Sequence, residues 1–405
     1  MLTRRTLLRT AAVGAIVGGG GYGLACRLAA GPAHIDPVSY ADRFYALPGK
    51  RPLIKRSLRP PNLETPVSVF NELLTPNDAF YVRYHLADIP VLSVADWRLR
   101  IAGPSVERPM ALGWEALQRD FEHVEVVAVN QCSGNRRGLF EPRVPGLQWE
   151  SGAMGNARWR GVRLRDVLLR AGLKPDAVEL TFDGADRPVL DRTPDFVKSL
   201  PLAKAMDQDT LIAFEMNGVP LPHWHGYPAR LVVPGWTATY WVKHLVSIEA
   251  VNQGFQGFWM KTAYRVPRGA FPLVQGSAPA EPSETVPITG MVINSLITNV
   301  KNGDEFGVGK PIEVKGVAWD SGHGIRQVEV STDGGDSWRL AELGADLGRY
   351  AWRPWLYRYT PTGKGRSALL AKASNRNGET QGFASVANPA GYHHNSVQRV
   401  EIHVV

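Results

Sequence analysis

The sequence predicts an α+β domain followed by an all-β sandwich of immunoglobulin type. In residues 67–264, short β-like runs alternate with a few helical stretches. There is no regular βαβ repetition, which argues against a doubly wound dinucleotide fold. A stretch rich in Pro, Gly, Ser and Ala at 265–287 marks a domain boundary. Beyond it, apolar residues alternate with period two, a pattern typical of the antiparallel strands of a sandwich.

The first domain is expected to contain one clear helix and several strands. Residues 164–172 show helical spacing and end in a glycine, which predicts a helix with a glycine stop. The apolar run 124–129 predicts a buried strand, and the Ser-Gly-Asn that follows at 133–135 predicts a tight turn. Further strands are predicted at 178–182, 210–216 and 230–233.

The second domain shows the alternation most clearly in two segments, 311–319 and 325–331. Asp333-Gly334-Gly335-Asp336 predicts a hairpin turn. The same pattern continues at 369–373 and 397–404. We therefore predict a catalytic domain at 67–270, a linker at 271–287 and a sandwich at 288–405.

The N-terminus is typical of an export signal. A twin arginine, Arg4-Arg5, precedes a Gly/Ala-rich run at 11–25 that is too short and too weakly apolar for a comfortable membrane span. This predicts a twin-arginine signal over 1–30, a periplasmic location, and an extended Pro-rich arm over 31–66. An uncleaved anchor and lipidation at Cys26 remain alternatives. The glycines at 18–23 follow no strand, so they do not form a dinucleotide fingerprint.

The charge and the cysteine count narrow the function. The formal net charge is +8, and half of it comes from four arginines that precede the first acid. The remainder is too mild to predict nucleic-acid binding and fits a small anionic ligand. Of the two cysteines, only Cys132 lies beyond the predicted signal, so it has no partner for an internal disulfide. It is either a small buried hydrophobe or a reactive thiolate favoured by the nearby Arg136 and Arg137.

Cations and hydrogen-bond donors recur in four short segments, at 80–85, 132–137, 223–243 and 258–265. On an extended segment Arg83 and His85 point to the same face. Guanidinium groups suit a small oxyanion, and a cofactor with a phosphate tail also needs Lys and Arg. His223 and His225 leave zinc binding open as an alternative.

These segments carry a specific resemblance. The cysteine loop at 129–137, Phe-Tyr-Val-Arg-Tyr-His at 80–85, residues 152–168 and Trp-Met-Lys-Thr-Ala-Tyr-Arg at 259–265 resemble the sulfite oxidase family of molybdenum enzymes. The hairpin at 331–338 is similar to that of the family's C-terminal dimerisation domain. The pattern is most similar to the bacterial sulfite dehydrogenases, which lack a fused haem domain. The resemblance implies a molybdopterin-binding α+β domain followed by a dimerisation sandwich.

The resemblance also assigns site residues. Cys132 matches the thiolate ligand of molybdenum, a soft donor suited to a redox metal. The positions that match molybdopterin-binding residues are Tyr81, Val82, Arg83, Tyr84, His85, Asp186, His225, Arg230, Trp241, Val242 and Lys243. The positions that match the substrate pocket are Arg83, Arg137, Tyr264, Trp149 as an aromatic wall, and Arg399.

The activity that the resemblance implies is oxidation of sulfite to sulfate by oxo transfer. No Cys-x-x-Cys-His motif occurs, so we expect electrons to pass singly to an external c-type cytochrome. The dimerisation domain implies a homodimer or a heterodimer with a cytochrome subunit. Three alternatives are a periplasmic methionine sulfoxide reductase type, a nitrate reductase type, and a non-catalytic protein that binds an oxyanion or a pterin.

Overall fold

The computed structural model describes residues 43–272 and 284–405. The predicted signal, with Cys26, lies outside these ranges, as do the beginning of the predicted arm and most of the predicted linker. Within the ranges, every helix is too short or too polar to cross a membrane.

An antiparallel sheet opens the described chain. Its strands, in the order in which they pair, are β1 (Phe44–Tyr45), β2 (Leu53–Leu58), β3 (Pro61–Glu64) and β4 (Val82–Arg83). The prediction of an extended arm up to residue 66 is therefore wrong over 44–64. Leu53, Leu63, Val82 and Tyr84 form a small buried cluster, so this segment folds because it has its own apolar core.

Two larger sheets and four short helices form the catalytic domain. One sheet has the order β10-β9-β14-β5-β6, with ranges β5 (Arg98–Ala102), β6 (Met110–Gly113), β9 (Glu179–Gly184), β10 (Lys198–Pro201) and β14 (Leu245–Val251). The other has the order β12-β11-β8-β7, with β13 also paired to β11, and ranges β7 (His123–Gln131), β8 (Met154–Arg163), β11 (Leu211–Met216), β12 (Val219–Pro220) and β13 (Arg230–Val232). The β5–β14 pair is parallel, and the other pairs in these sheets are antiparallel.

The helices are α1 (Trp114–Arg119), α2 (Leu164–Ala171), α3 (Leu202–Ala205) and α4 (Phe258–Lys261). The predicted helix is confirmed as α2. It buries Leu164, Val167, Leu168 and Ala171, the spacing of one helical face. It ends at Gly172, whose φ of +73° is a conformation that glycine adopts without strain.

The C-terminal part is the predicted sandwich. One sheet has the order β17-β19-β23-β22, with ranges β17 (Asn294–Ile297), β19 (Ile312–Trp319), β22 (Glu342–Leu343) and β23 (Arg353–Tyr359). The other has the order β18-β25-β24-β20-β21, with ranges β18 (Glu305–Phe306), β20 (Ile325–Ser331), β21 (Arg339–Leu340), β24 (Gly365–Asn375) and β25 (Gln398–Val404). A two-stranded ribbon precedes the sandwich, so the end of the predicted linker is a strand: β15 (Arg265–Pro267) pairs with β16 (Thr285–Pro287).

An apolar cluster joins the sandwich to the catalytic domain directly beneath β7. Val129 of β7 is buried in this cluster with Trp319 and Trp352 of the sandwich. The Trp319 Nε1 donates to Oε1 of Gln131 at 2.5 Å, and the Val129 amide donates to the Tyr350 carbonyl at 2.9 Å. The strand that leads to Cys132 is therefore supported from below by the second domain.

Candidate active site

The Cys132 thiol lies just beyond the end of β7, as the sequence predicts. Its amide donates to the Ala153 carbonyl, and its carbonyl accepts from the Asn135 amide, both at 2.9 Å. Arg136 closes the turn with a left-handed backbone, φ +67°. Cys132 is a free, buried cysteine with 7% of its surface exposed. The thiol is thus held rigidly by backbone hydrogen bonds and faces a cavity.

This cavity, here called the inner cavity, is partly open to solvent and is lined by residues from several parts of the chain. Ten of the eleven predicted cofactor-binding residues line it together with Cys132: Tyr81, Arg83, Tyr84, His85, Asp186, His225, Arg230, Trp241, Val242 and Lys243. They come from β4 and the residues beside it, from the connection after β9, and from the start of β13 and the segments on either side of it. The fold therefore gathers into one site residues that lie more than 100 positions apart.

Val82 is the exception among the predicted cofactor-binding residues. Arg83, its neighbour on β4, reaches the cavity, but successive side chains of a strand point to opposite faces. The Val82 side chain is fully buried against Leu53 and Leu63 instead. The structure therefore corrects the prediction for this side chain.

The inner cavity is rich in buried cations. The Arg230 guanidinium donates to the carbonyls of His225 and Trp241 at 3.1 and 2.9 Å, and burial lowers its pKa to about 10. The Lys243 ammonium donates to the Arg83 carbonyl at 2.7 Å and lies 3.0 Å from the centre of the Tyr84 ring. Burial, and then repulsion from Arg230, lower the pKa of Lys243 well below its ordinary value. An anion bound here would relieve this repulsion.

Asp186 is the one carboxylate that lines the inner cavity in the described part of the chain. Burial raises its pKa to about 6, although the charge of Lys243 opposes that rise. Behind the wall, Lys50 contacts the ring of His225 and donates to the Phe80 carbonyl at 2.8 Å. Burial lowers the pKa of Lys50 to about 7. A further basic group, readily deprotonated in the absence of an anion, therefore lies behind the residues that line the cavity.

Four buried polar atoms around the inner cavity have no hydrogen-bond partner among the described residues: Nδ2 of Asn130, Oγ of Ser133, Nε of Arg230 and Oγ1 of Thr239. Buried polar atoms in folded proteins are nearly always paired. These atoms, the cations and the soft thiol together fit a ligand that has many hydrogen-bonding groups, an anionic tail and a metal. Molybdenum bound to molybdopterin is such a group, so the residues present fit it.

Sequence reasoning missed six residues that line the inner cavity: Asn130, Ser133, Phe196, Trp224, Ala238 and Thr239. Asn130 and Ser133 lie next to or near Cys132 in the sequence motif, so their place in the cavity could have been predicted from that proximity. Phe196 had no such signal. Its ring stacks on His85 with centroids 3.7 Å apart, although the two residues are distant in the chain.

An outer cavity, here called the mouth, adjoins the inner one. Both cavities are lined by Arg83, Cys132 and Tyr264. Arg137 lines the mouth but not the inner cavity. Its Nε donates to the Ala390 carbonyl at 2.7 Å and its Nη1 to the Leu147 carbonyl at 3.2 Å. The structure therefore brings three predicted catalytic residues, Arg83, Arg137 and Tyr264, close to the thiol.

Tyr264 has a left-handed backbone, φ +58°, which is uncommon for a residue other than glycine. Residues with such a strained backbone are found most often at functional sites. Its hydroxyl shares a hydrogen bond with Nε2 of His85. Burial, and then repulsion from Arg83, lower the pKa of His85 well below its ordinary value, so the imidazole is neutral. Burial also raises the pKa of Tyr264, so the phenol keeps its proton and can donate it in a hydrogen bond.

The other two predicted catalytic residues do not line either cavity. Trp149 is fully buried, and its ring packs edge-on against Tyr81 with centroids 6.5 Å apart, so it supports the cavity wall from behind. Arg399 lies on β25 with its side chain 53% exposed, beside Glu401 at 3.4 Å. The prediction that Arg399 belongs to the substrate pocket is wrong for this chain. The side chain leaves the sandwich on its solvent face.

The zinc alternative at His223 and His225 receives no support. In residues 43–272 and 284–405 there is no group of three or more His, Cys, Asp or Glu side chains arranged to hold a metal ion. His225 instead packs edge-on against the Phe80 ring and contacts Lys50.

Comparison with known proteins identifies the class. Residues 85–259 match the oxidoreductase molybdopterin binding domain, and residues 285–405 match the Mo-co oxidoreductase dimerisation domain. Both halves of the chain are thus those of a molybdenum-cofactor oxidoreductase, the class that the donor set of the inner cavity also fits.

The chain is 33% identical to human mitochondrial sulfite oxidase over 389 residues, which cover 91% of this chain and 69% of the human protein. It is 30% identical to the sulfite oxidase of Arabidopsis thaliana, over 87% of this chain and 94% of the plant protein. The sulfane dehydrogenase SoxCD of Paracoccus pantotrophus has a similar structure, with a TM-score of 0.72, 26% identity, and coverage of 94% of this chain and 92% of that one. The chain belongs to the sulfite oxidase family, and its cofactor is molybdenum bound to molybdopterin.

Proposed function

We propose that this chain oxidises sulfite to sulfate and passes the two electrons singly to an external c-type cytochrome. One observation carries this proposal: Arg83, Cys132 and Tyr264 line both cavities. A small anion that enters the mouth therefore meets a cofactor held in the inner cavity at the thiol. The relatives that are named sulfite oxidase support the choice of substrate.

When bound, the cofactor supplies the transferable oxygen and accepts two electrons. The chain itself binds and orients the substrate. Arg83 and Arg137 line the mouth together with Cys132 and provide positive charge there, so the sulfite oxygens are held and the sulfur lone pair faces inward. The Tyr264 hydroxyl, held by neutral His85, donates a hydrogen bond to a substrate oxygen.

The proposal includes export by the twin-arginine route and action in the periplasm, since the cofactor must be inserted before a protein of this class crosses the membrane folded. The match of residues 285–405 to a dimerisation domain supports assembly as a homodimer or with a cytochrome subunit. It also favours sulfite oxidation over the methionine sulfoxide reductase type, for which no sandwich is expected. Light scattering of protein purified from the periplasm tests both location and assembly.

The decisive experiment is steady-state sulfite oxidation by protein with one molybdenum per chain, with cytochrome c or ferricyanide as acceptor. Replacing Arg83 by Gln removes a charge-assisted hydrogen bond, so KM for sulfite should rise by about 10- to 100-fold. Arg170→Gln is the matched control, because Arg170 is exposed on α2 and paired with Asp120. An unchanged KM in the Arg83 variant would remove this residue from the substrate site.

A further inference from the structure

The mouth is much larger than sulfite requires. Its volume of about 640 Å³ lies within the range that usually holds a drug-sized ligand, whereas sulfite has only four heavy atoms. Its walls are mainly apolar and aromatic: Leu147, Phe258, Trp259, Pro389, Ala390 and Tyr392. A site for a small, strongly hydrated dianion alone needs no such surface, because apolar walls contribute nothing to binding it.

The aromatic walls are fixed in place. The ring of Tyr392 stacks on Tyr264 with centroids 5.4 Å apart and an interplanar angle of 12°. Asn388 holds Tyr392 from both sides, since its Oδ1 accepts from the Tyr392 amide and its Nδ2 donates to the Tyr392 carbonyl, each at 2.9 Å. Phe258, 42% exposed, packs edge-on against Trp259 at the rim. Rigid aromatic surfaces of this kind bind flat or branched apolar groups well.

Two arginines, Arg83 and Arg137, supply the positive charge of the mouth, and one of them already donates hydrogen bonds to the protein. Arg137 spends two of its donors on the Ala390 and Leu147 carbonyls and lies 5.2 Å from the Tyr392 ring centre. Its guanidinium thus holds the two walls together, while Arg83 is shared with the inner cavity. This arrangement favours a singly charged anion whose charged end points to Cys132 and whose other end is apolar.

We propose that the enzyme also oxidises organic sulfinates, R–SO₂⁻ with an apolar R group, to sulfonates. This inference rests on the proposed sulfite oxidation, because a sulfinate offers the same sulfur lone pair with carbon in place of one oxygen. The sulfur gains one S–O bond, with the oxygen derived from water, and loses two electrons. Two protons go to solvent, and two one-electron acceptors such as ferricyanide are reduced per sulfonate formed. The R group occupies the mouth.

The test compares sulfite, methanesulfinate and benzenesulfinate on one molybdenum-loaded preparation with ferricyanide. The aromatic contacts should give benzenesulfinate a KM about tenfold lower than that of methanesulfinate. Binding of the product benzenesulfonate is measured separately by quenching of tryptophan fluorescence, with sulfate as the comparison, and needs no turnover. Benzenesulfonate should bind at least tenfold more tightly than sulfate.

Ala390→Phe narrows the mouth, so it should lower kcat/KM for benzenesulfinate at least tenfold more than for sulfite. Ala345→Phe adds the same bulk on an exposed loop and is the control. Turnover of sulfite without turnover of either sulfinate, or a fall for all substrates alike in the Ala390 variant, overturns this inference and leaves the proposed function intact. Failure to oxidise sulfite with molybdenum present overturns the proposed function itself.

Discussion

Lys198 on β10 is fully buried, and in the part of the chain that the structure describes no carboxylate lies within ion-pair distance of it. Its ammonium donates to the Trp259 carbonyl at 2.6 Å and lies 4.6 and 5.1 Å from the ring centres of Tyr240 and Tyr264. These contacts replace only part of its hydration. Burial therefore lowers the pKa of Lys198 from its ordinary 10.5 to about 7.

This shift predicts a dependence of stability on pH. Between pH 7 and 10.5 the unfolded chain holds the Lys198 proton and the folded chain does not, so the free energy of unfolding rises with pH. The slope from this group is about 1.4 kcal/mol per pH unit, and the full penalty of about 5 kcal/mol applies below pH 7. Lys198→Met removes the titrating group. The free energy of unfolding of this variant minus that of wild type should therefore fall by about 3 kcal/mol between pH 7 and pH 9.5, because only the wild type gains stability from Lys198 over this range.

The measurement is urea unfolding of both proteins at several pH values, followed by tryptophan fluorescence. Because other groups titrate equally in the two proteins, their difference isolates Lys198. Lys174→Met is the control for a lost amine–carbonyl bond, since exposed Lys174 donates to the Pro104 carbonyl at 2.7 Å. A difference between wild type and the Lys198 variant that stays constant with pH would refute the reasoning.

Three other substitutions probe the site and its support. Cys132→Ser removes the soft thiolate while the pterin still carries the metal, so sulfite turnover per molybdenum, with the metal measured by mass spectrometry, should fall by about a hundredfold or more; unchanged turnover per molybdenum would contradict its role as ligand. Arg230→Lys keeps the charge but cannot span the His225 and Trp241 carbonyls, so released pterin fluorescence should drop several-fold. Trp319→Phe leaves Oε1 of Gln131 without its donor and should lower the free energy of unfolding by about 1–3 kcal/mol in the same urea assay; no change would argue against the interface bond.

Local patterns predicted much of this fold. The apolar run before Cys132 is β7, the helical spacing at 164–171 is α2, and the alternating segments of the second domain are β19 and β20. Each element depends on residues that are neighbours in the chain, so periodicity can show it. The arm was misjudged because prolines at 37–66 concealed three short strands, whose partner β4 lies further along the chain.

The features of the site likewise fall into those that the local sequence shows and those that depend on distant residues. A thiol at a strand end and basic segments around it pointed to an anion-binding redox site, and the motif resemblance supplied the cofactor. Alternation along the strand does not separate Val82 from Tyr84: both belong to the same buried cluster, but only Tyr84 also lines the cavity. No local signal marks Lys198 as a buried cation, because its surroundings come from residues 240, 259 and 264.

By itself, the sequence determined the two domains, their order, and the thiol with its nearby arginines, because these features reside in short stretches. The tertiary structure decided which side chains share a cavity. Ala390 and Tyr392 reach the mouth from the connection between β24 and β25, about 250 residues beyond Cys132. That approach depends on how two folded domains pack, and packing between distant surfaces leaves no periodic trace in the chain.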